Sequence, residues 1–282
     1  MHVLNETAEA PATDGAPKLG RAIVVTSGKG GVGKTTTTAN LGTALAQRGA
    51  RVVLVDADVG LRNLDIVLGL ESRVQHHVLD VIEERATLDD ALVADKRSPS
   101  LFLLAAAQSR EKEDVDIDKM RDLVRALRER FEYVLIDCPA GIETGFKNAV
   151  AGAEEAIVVC TPEVSAVRDV DRVVGLLGNR FRPQLIVNRI RPHLVRKGKM
   201  LSVEDVNAIL RLPLLGVIAD EPEIIVSTNR GEPVALRTDL PTAAAYRAIA
   251  ARVAGEDVPA PMPQQKESLL SRVGAWFGGR RP

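Results

Sequence analysis

A run of β-branched residues, "AIVVT" (22–26), passes directly into "SGKGGVGKTT" (27–36), and the helix-like stretch "TTTANLGTALAQRG" follows. Gly28-Lys29-Gly30-Gly31-Val32-Gly33-Lys34-Thr35 fits the pattern G-x-x-x-x-G-K-[ST] in the strand–loop–helix context that pattern requires. The glycines let backbone N–H groups converge on phosphate oxygens, and the helix N-terminus adds its dipole. In such a loop Lys34 neutralises the β- and γ-phosphates and the Thr35 hydroxyl ligates Mg2+, with Thr36 at the edge of the cradle. A second lysine, Lys29, is not needed for cradling.

The remaining chain repeats the alternation. Short apolar runs, "RVVLVD" (51–56), "LFLLA" (101–105), "YVLID" (133–137), "AIVVC" (156–160), "QLIVN" (184–188) and "LLGVI" (214–218), are separated by helical patterns such as "KMRDLVRALRERF" and "VRDVDRVVGLLGNRF". Runs apolar on both faces, with helices between them, predict a mostly parallel sheet covered on both sides, a doubly wound α/β domain over 21–254. With 282 residues, 45% of them hydrophobic, the chain can bury such a core. Residues 1–20 hold three acids, one lysine and no apolar segment, which predicts a disordered extension rather than a secretory signal. The Pro-rich "EDVPAPMPQQKE" predicts a flexible linker over 255–265. Cys138 and Cys160 match no metal or redox spacing and suit a reducing cytoplasm.

Acids follow at strand ends. "VLVDADVGLRNLD" puts Asp56 and Asp58 at the carboxyl end of the second strand, where open α/β sheets bind ligands. Asp58 is expected to position the attacking water, Asp56 to hold the metal's water shell, and Asp137, which ends "YVLID", to act on Mg2+. A single such acid is often only a cap or turn residue. Three beside a phosphate loop favour a site.

"KGGVGKT" resembles the deviant Walker loop of the ParA/MinD family of P-loop ATPases. The segments "DADVGLRNLD", "PAGIETG", "PEVSAVRDVDR", "LSVEDV" and "NRGEPV" are similar to those of the family's division-site branch, and the likeness runs from Arg21 almost to the C-terminus. The N-terminal extension departs from it. The resemblance implies ATP and Mg2+ as cofactors, and a homodimer in which Lys29 reaches the nucleotide of the opposite subunit, as an arginine finger does. It also implies an adenine contact for Asn188 in "LIVNRI", although Asn at a strand end is as often a turn residue. Arg168, Asp169 and Asp171 are its candidates for meeting a MinC-like division inhibitor and a MinE-like activator; an ordinary exposed helix start is equally compatible. Cluster-holding relatives need a cysteine after the third strand, and "LFLLAAAQSR" has none. Plasmid-type members bind DNA through basic patches, and the run "NRIRPHLVRKGKM" (188–200) keeps a partition ATPase open as an alternative. A flagellar-number regulator is another alternative.

The last segment, 266–282, separates these readings. Leu269, Leu270, Val273, Trp276 and Phe277 fall at i, i+1, i+4, i+7 and i+8, one apolar stripe on a helix. Lys266, Arg272, Arg280 and Arg281 against Glu267 leave it at +3, in a chain whose formal charge is −1. A basic amphipathic helix behind a linker predicts in-plane binding to an anionic membrane surface rather than to nucleic acid. A helix docked on the core is the other reading. With the family resemblance, the expectation is a cytoplasmic ATPase, reversibly bound to the inner face of the cell membrane, that helps to place the division septum.

Overall fold

A computed structural model describes residues 19–60, 62–107, 116–142 and 144–263. Leu269, Leu270, Val273, Trp276 and Phe277 lie outside these residues, as does most of the N-terminal extension. Eight strands form one sheet in the order β3-β4-β2-β5-β1-β6-β7-β8. These are β1 (Arg21–Thr26), β2 (Val52–Asp56), β3 (Leu92–Ala94), β4 (Leu101–Leu104), β5 (Tyr133–Asp137), β6 (Glu155–Cys160), β7 (Gln184–Ile190) and β8 (Leu214–Ala219). All neighbours pair in parallel except β3, which runs antiparallel to β4 at the edge. Each of the seven apolar runs in the sequence became a strand. β3 has only three residues, too few for any periodicity to register.

Alternation along the strands builds two cores. Ala22 and Val24 of β1, with Val53 and Val55 of β2, face α5 (Ile117–Arg128) and α7 (Val164–Leu177). Ile23, Val52 and Leu54 face α1 (Lys34–Gln47) and α11 (Pro241–Val253) on the other side. Each fully buried Val, Leu or Ile contributes about 1.5–3 kcal/mol, so both layers are fixed by burial rather than by helix propensity. α5 shows the pattern: Met120, Leu123, Val124 and Leu127 are buried, and the N-cap Asp116 accepts from the Asp118 amide at 2.9 Å. The domain begins slightly before Arg21. Gly20 donates to the Arg128 carbonyl at 2.8 Å, and a Cβ there would stand 1.8 Å from the Phe131 carbonyl oxygen.

The stretch expected to be a flexible linker is laid against the outer edge of β8 as far as Pro261. Val217 donates to the Pro261 carbonyl at 3.1 Å, and Arg252 donates to the carbonyls of Val258 and, at 3.0 Å, Leu214. Pro259, Pro261 and Pro263 lack the N–H that continuous pairing with β8 would use, so the strap covers this edge without becoming a further strand among the described residues. Among the described residues no helix is long and apolar enough to cross a membrane.

Candidate active site

Residues 28–33 cross the carboxyl end of the central strand β1, and α1 begins at Lys34. Gly31 (φ +76°) and Gly33 (φ +97°) occupy the left-handed region that L side chains avoid. Two long-range neighbours grip the loop. A Cβ on Gly33 would lie 2.4 Å from Asn188 Nδ2, and one on Gly28 would lie 2.2 Å from the carbonyl carbon of Asp169 in α7. Below, Val32 packs with Val25 and Val159 in a small apolar cluster.

The two lysines point to different surroundings. Lys34 is 7% exposed, and its Nζ donates to Ser27 Oγ at 3.2 Å. Ser27 in turn donates to the Lys29 carbonyl at 2.7 Å, which fixes the Lys29 backbone. The Lys29 side chain is exposed and has no ion pair among the described residues.

Asp137 is 1% exposed and receives the Thr35 hydroxyl at 2.6 Å and lies 3.2 Å from the Thr38 hydroxyl. Burial, together with the neighbouring charge of Asp56, pushes its carboxyl up to about 8. Asp56 is its register partner across β2 and β5. The Asp56 carboxylate accepts from the amides of Asp58 (3.0 Å), Asn63 (3.2 Å) and Leu64 (3.2 Å), so it ties the loop after β2 to the start of α2 (Leu64–Leu68). Burial raises it too, to about 6, against those three amides. Asp58 is half-buried at the same sheet end.

Hydroxyl and carboxylate oxygens at Thr35 and Asp137 are hard donors of the kind Mg2+ takes, usually one or two from protein with the rest from phosphate and water. No group of three or more His, Cys, Asp or Glu that could hold a metal occurs among the described residues. The buried Lys34 ammonium has a neutral hydroxyl as its hydrogen-bond partner, so an anion suits it. The residues present therefore fit Mg2+ and a nucleotide phosphate chain.

The structure brings Gly28 to Thr36, Asp56, Asp58 and Asp137 together at one sheet end, with Thr36 half-buried in the first turn of α1. Asn188 is near them, but beneath the loop. It is 4% exposed; Nδ2 donates to the Val32 carbonyl at 2.7 Å, and Oδ1 accepts from the Arg189 amide at 3.0 Å. Arg168 and Asp171 are exposed on α7, and Asp169 is half-buried with Arg172 3.8 Å away. Sequence reasoning missed Ser27, Thr38 and the Gly28–α7 contact. Thr38 had a readable signal, since it lies three residues beyond Thr35 on one helix face.

Residues 23–234 match the CobQ/CobB/MinD/ParA nucleotide binding domain. The septum site-determining protein MinD of Synechocystis is 55% identical over 244 residues, covering 86% of this chain and 92% of that protein. The MinC:MinD cell division complex of Aquifex aeolicus aligns with a TM-score of 0.80 at 48% identity, over 85% of this chain and 97% of that one. The MinD of Pyrococcus horikoshii complexed with Mg-ADP aligns with a TM-score of 0.76 at 32% identity, over 83% and 96%. The strand order, the phosphate loop gripped from both sides and these similarities lead to one conclusion: this chain belongs to the CobQ/CobB/MinD/ParA family of P-loop ATPases, in its MinD branch.

Proposed function

We propose that this chain is an Mg2+-dependent ATPase whose nucleotide state governs pairing and membrane attachment, and so places the division septum. The observation that carries this reading is the division of labour between the two loop lysines. Lys34 is buried and committed to its own site, whereas the Lys29 ammonium stands exposed on the same loop. Phosphoryl transfer gains from added positive charge around the γ-phosphate, and a cation supplied by a second copy makes hydrolysis wait for dimerisation. Asp137 and Thr35 hold the metal, Asp56 orders the adjoining loop, and Asp58 positions water.

The segment 266–282 then reads the dimer out. One short amphipathic helix binds a bilayer marginally, because its apolar burial is offset by the cost of folding. Two on one dimer bind far more tightly, through the effective concentration of the second. A MinC-like division inhibitor is the expected cargo, as the Aquifex complex suggests, and a MinE-like activator the expected trigger of release. Arg168, Asp169 and Asp171 on α7 are the proposed contacts for both.

Vesicle co-sedimentation with ATP or ADP tests the proposal. Wild type is expected to sediment with ATP only. The Lys29→Ala variant and the chain lacking 266–282 are expected to stay in the supernatant. Sedimentation that ignores the nucleotide, or survives the truncation, refutes the reading.

A further inference from the structure

The run 188–200 is left without a task by the site. It contains Arg189, Arg191, Arg196, Lys197 and Lys199 and no acid, in a chain whose overall charge is −1. A bulge interrupts the pairing of β7 with β8 between Val187 and Ile190, turning Asn188 inward and leaving Arg189 (φ +56°) exposed. Arg191 pairs with Asp220 at 2.5 Å, and Lys199 lines a cleft of about 510 Å³ with Glu163 and Asp205. Arg189, Arg196 and Lys197 are exposed, the last two at the end of α8 (Pro192–Arg196). The apolar members of the run, Ile190, Leu194, Val195 and Met200, are buried or half-buried. What the run offers to a partner is therefore charge alone, without an inserting side chain.

Its position supplies the partner. Pro261 accepts from Val217, and two residues further along β8 Ala219 pairs with Ile190, while the Asp220 amide donates to the Ile190 carbonyl at 3.0 Å. At about 3.3 Å per residue and 4.8 Å between strands, the strap leaves the sheet roughly 10–15 Å from Arg189. The chain that continues from there carries the +3 amphipathic segment.

We infer that Arg189–Lys199 is a second headgroup-binding surface, on the body of the protein, which meets anionic lipid wherever the tail is anchored. This inference rests on the membrane reading above. The tail supplies apolar insertion and some charge, and the body supplies charge only. Each basic residue near an anionic leaflet is worth about five-fold in binding, and screening removes that gain.

The test uses the full ATP-loaded chain and its Arg196→Ala/Lys197→Ala variant, on phosphatidylcholine vesicles with and without an equal part of phosphatidylglycerol. On neutral vesicles the two proteins should bind within about two-fold of each other, and their ATP hydrolysis in solution should match. On anionic vesicles the variant should bind about 10- to 25-fold more weakly, following about five-fold per charge. Raising salt to about 0.5 M, where the Debye length is about 4 Å, should erase the difference. Equal binding to anionic vesicles, or an equal loss on both vesicle types, overturns the inference. So does a variant that keeps its lipid binding but loses salt-sensitive retention of duplex DNA, which would make the surface a nucleic-acid site. Failure of the wild type to bind either vesicle overturns the membrane reading itself, and this surface with it.

Discussion

Asp137 concentrates the electrostatic tension of the site. Its carboxyl is buried, stands beside Asp56 and is raised to about 8, with only the hydroxyls of Thr35 and Thr38 and the Lys34 charge favouring ionisation. An ordinary aspartate titrates near 4, so between about pH 4 and 8 the folded ligand-free chain holds a proton that the unfolded chain has released. Stability without nucleotide or Mg2+ must then fall as pH rises through that window. In chelator, Asp137→Asn should melt above wild type at pH 8 and close to it at pH 4; a gap indifferent to pH would refute this. Mg2+ favours the ionised carboxylate, so metal and nucleotide should raise the melting temperature most at the alkaline end. Asn188 gives a second expectation. Removing its amide leaves the buried Val32 carbonyl without that donor, at a cost of about 1–3 kcal/mol. Asn188→Ala should weaken ATP and GTP alike in titration calorimetry, whereas a loss confined to ATP would put the side chain on the base.

At the scale of elements, the phosphate loop and α7 form one mechanical unit. Gly28 lies so close to the backbone of Asp169 and Val170 that no other residue fits without displacing the helix. Gly28→Ala should therefore destabilise the fold by about 1–3 kcal/mol, as overpacking does. It should also weaken binding of an α7 partner alongside nucleotide affinity, measured by thermal melting and by pull-down of a MinC-like protein. Loss of nucleotide binding with α7 recognition intact would show the two elements to be independent. This contact explains where legibility stopped. β1, the loop and α1 were readable because their signals are local: β-branched residues, glycines at fixed spacing, then a helical period. Asp56 and Asp137 were readable as strand ends. The grip of α7 on Gly28 and the Asn188–Val32 bond join residues more than a hundred positions apart, and nothing local encodes such an approach. The short helices α3 (Val78–Ile82) and α4 (Leu88–Ala91) escaped for a different reason: they span barely a turn, and their capping boxes at His77 and Thr87 are their clearest marks.

Over the whole molecule, the sheet is finished differently at its two sides. One side closes with the short antiparallel β3 and the other with the proline-bearing strap beyond β8. Arg252 is the clasp of that strap, through the carbonyls of Val258 and Leu214, and Glu256 pairs with Arg48. Arg252→Ala should loosen it, speeding hydrogen exchange at the Val217 amide at least ten-fold while leaving the β1 amides unchanged; uniform acceleration throughout would mean a global effect instead. The direction of the strap matters as much as its attachment. Val258 lies near the beginning of β8 and Pro261 further along it, so the chain climbs toward the rim that carries Lys29. The chain that continues past Pro261 therefore departs from the same end of the sheet as the phosphate loop, at its β8 corner, like a mooring line made fast at the working end of a quay.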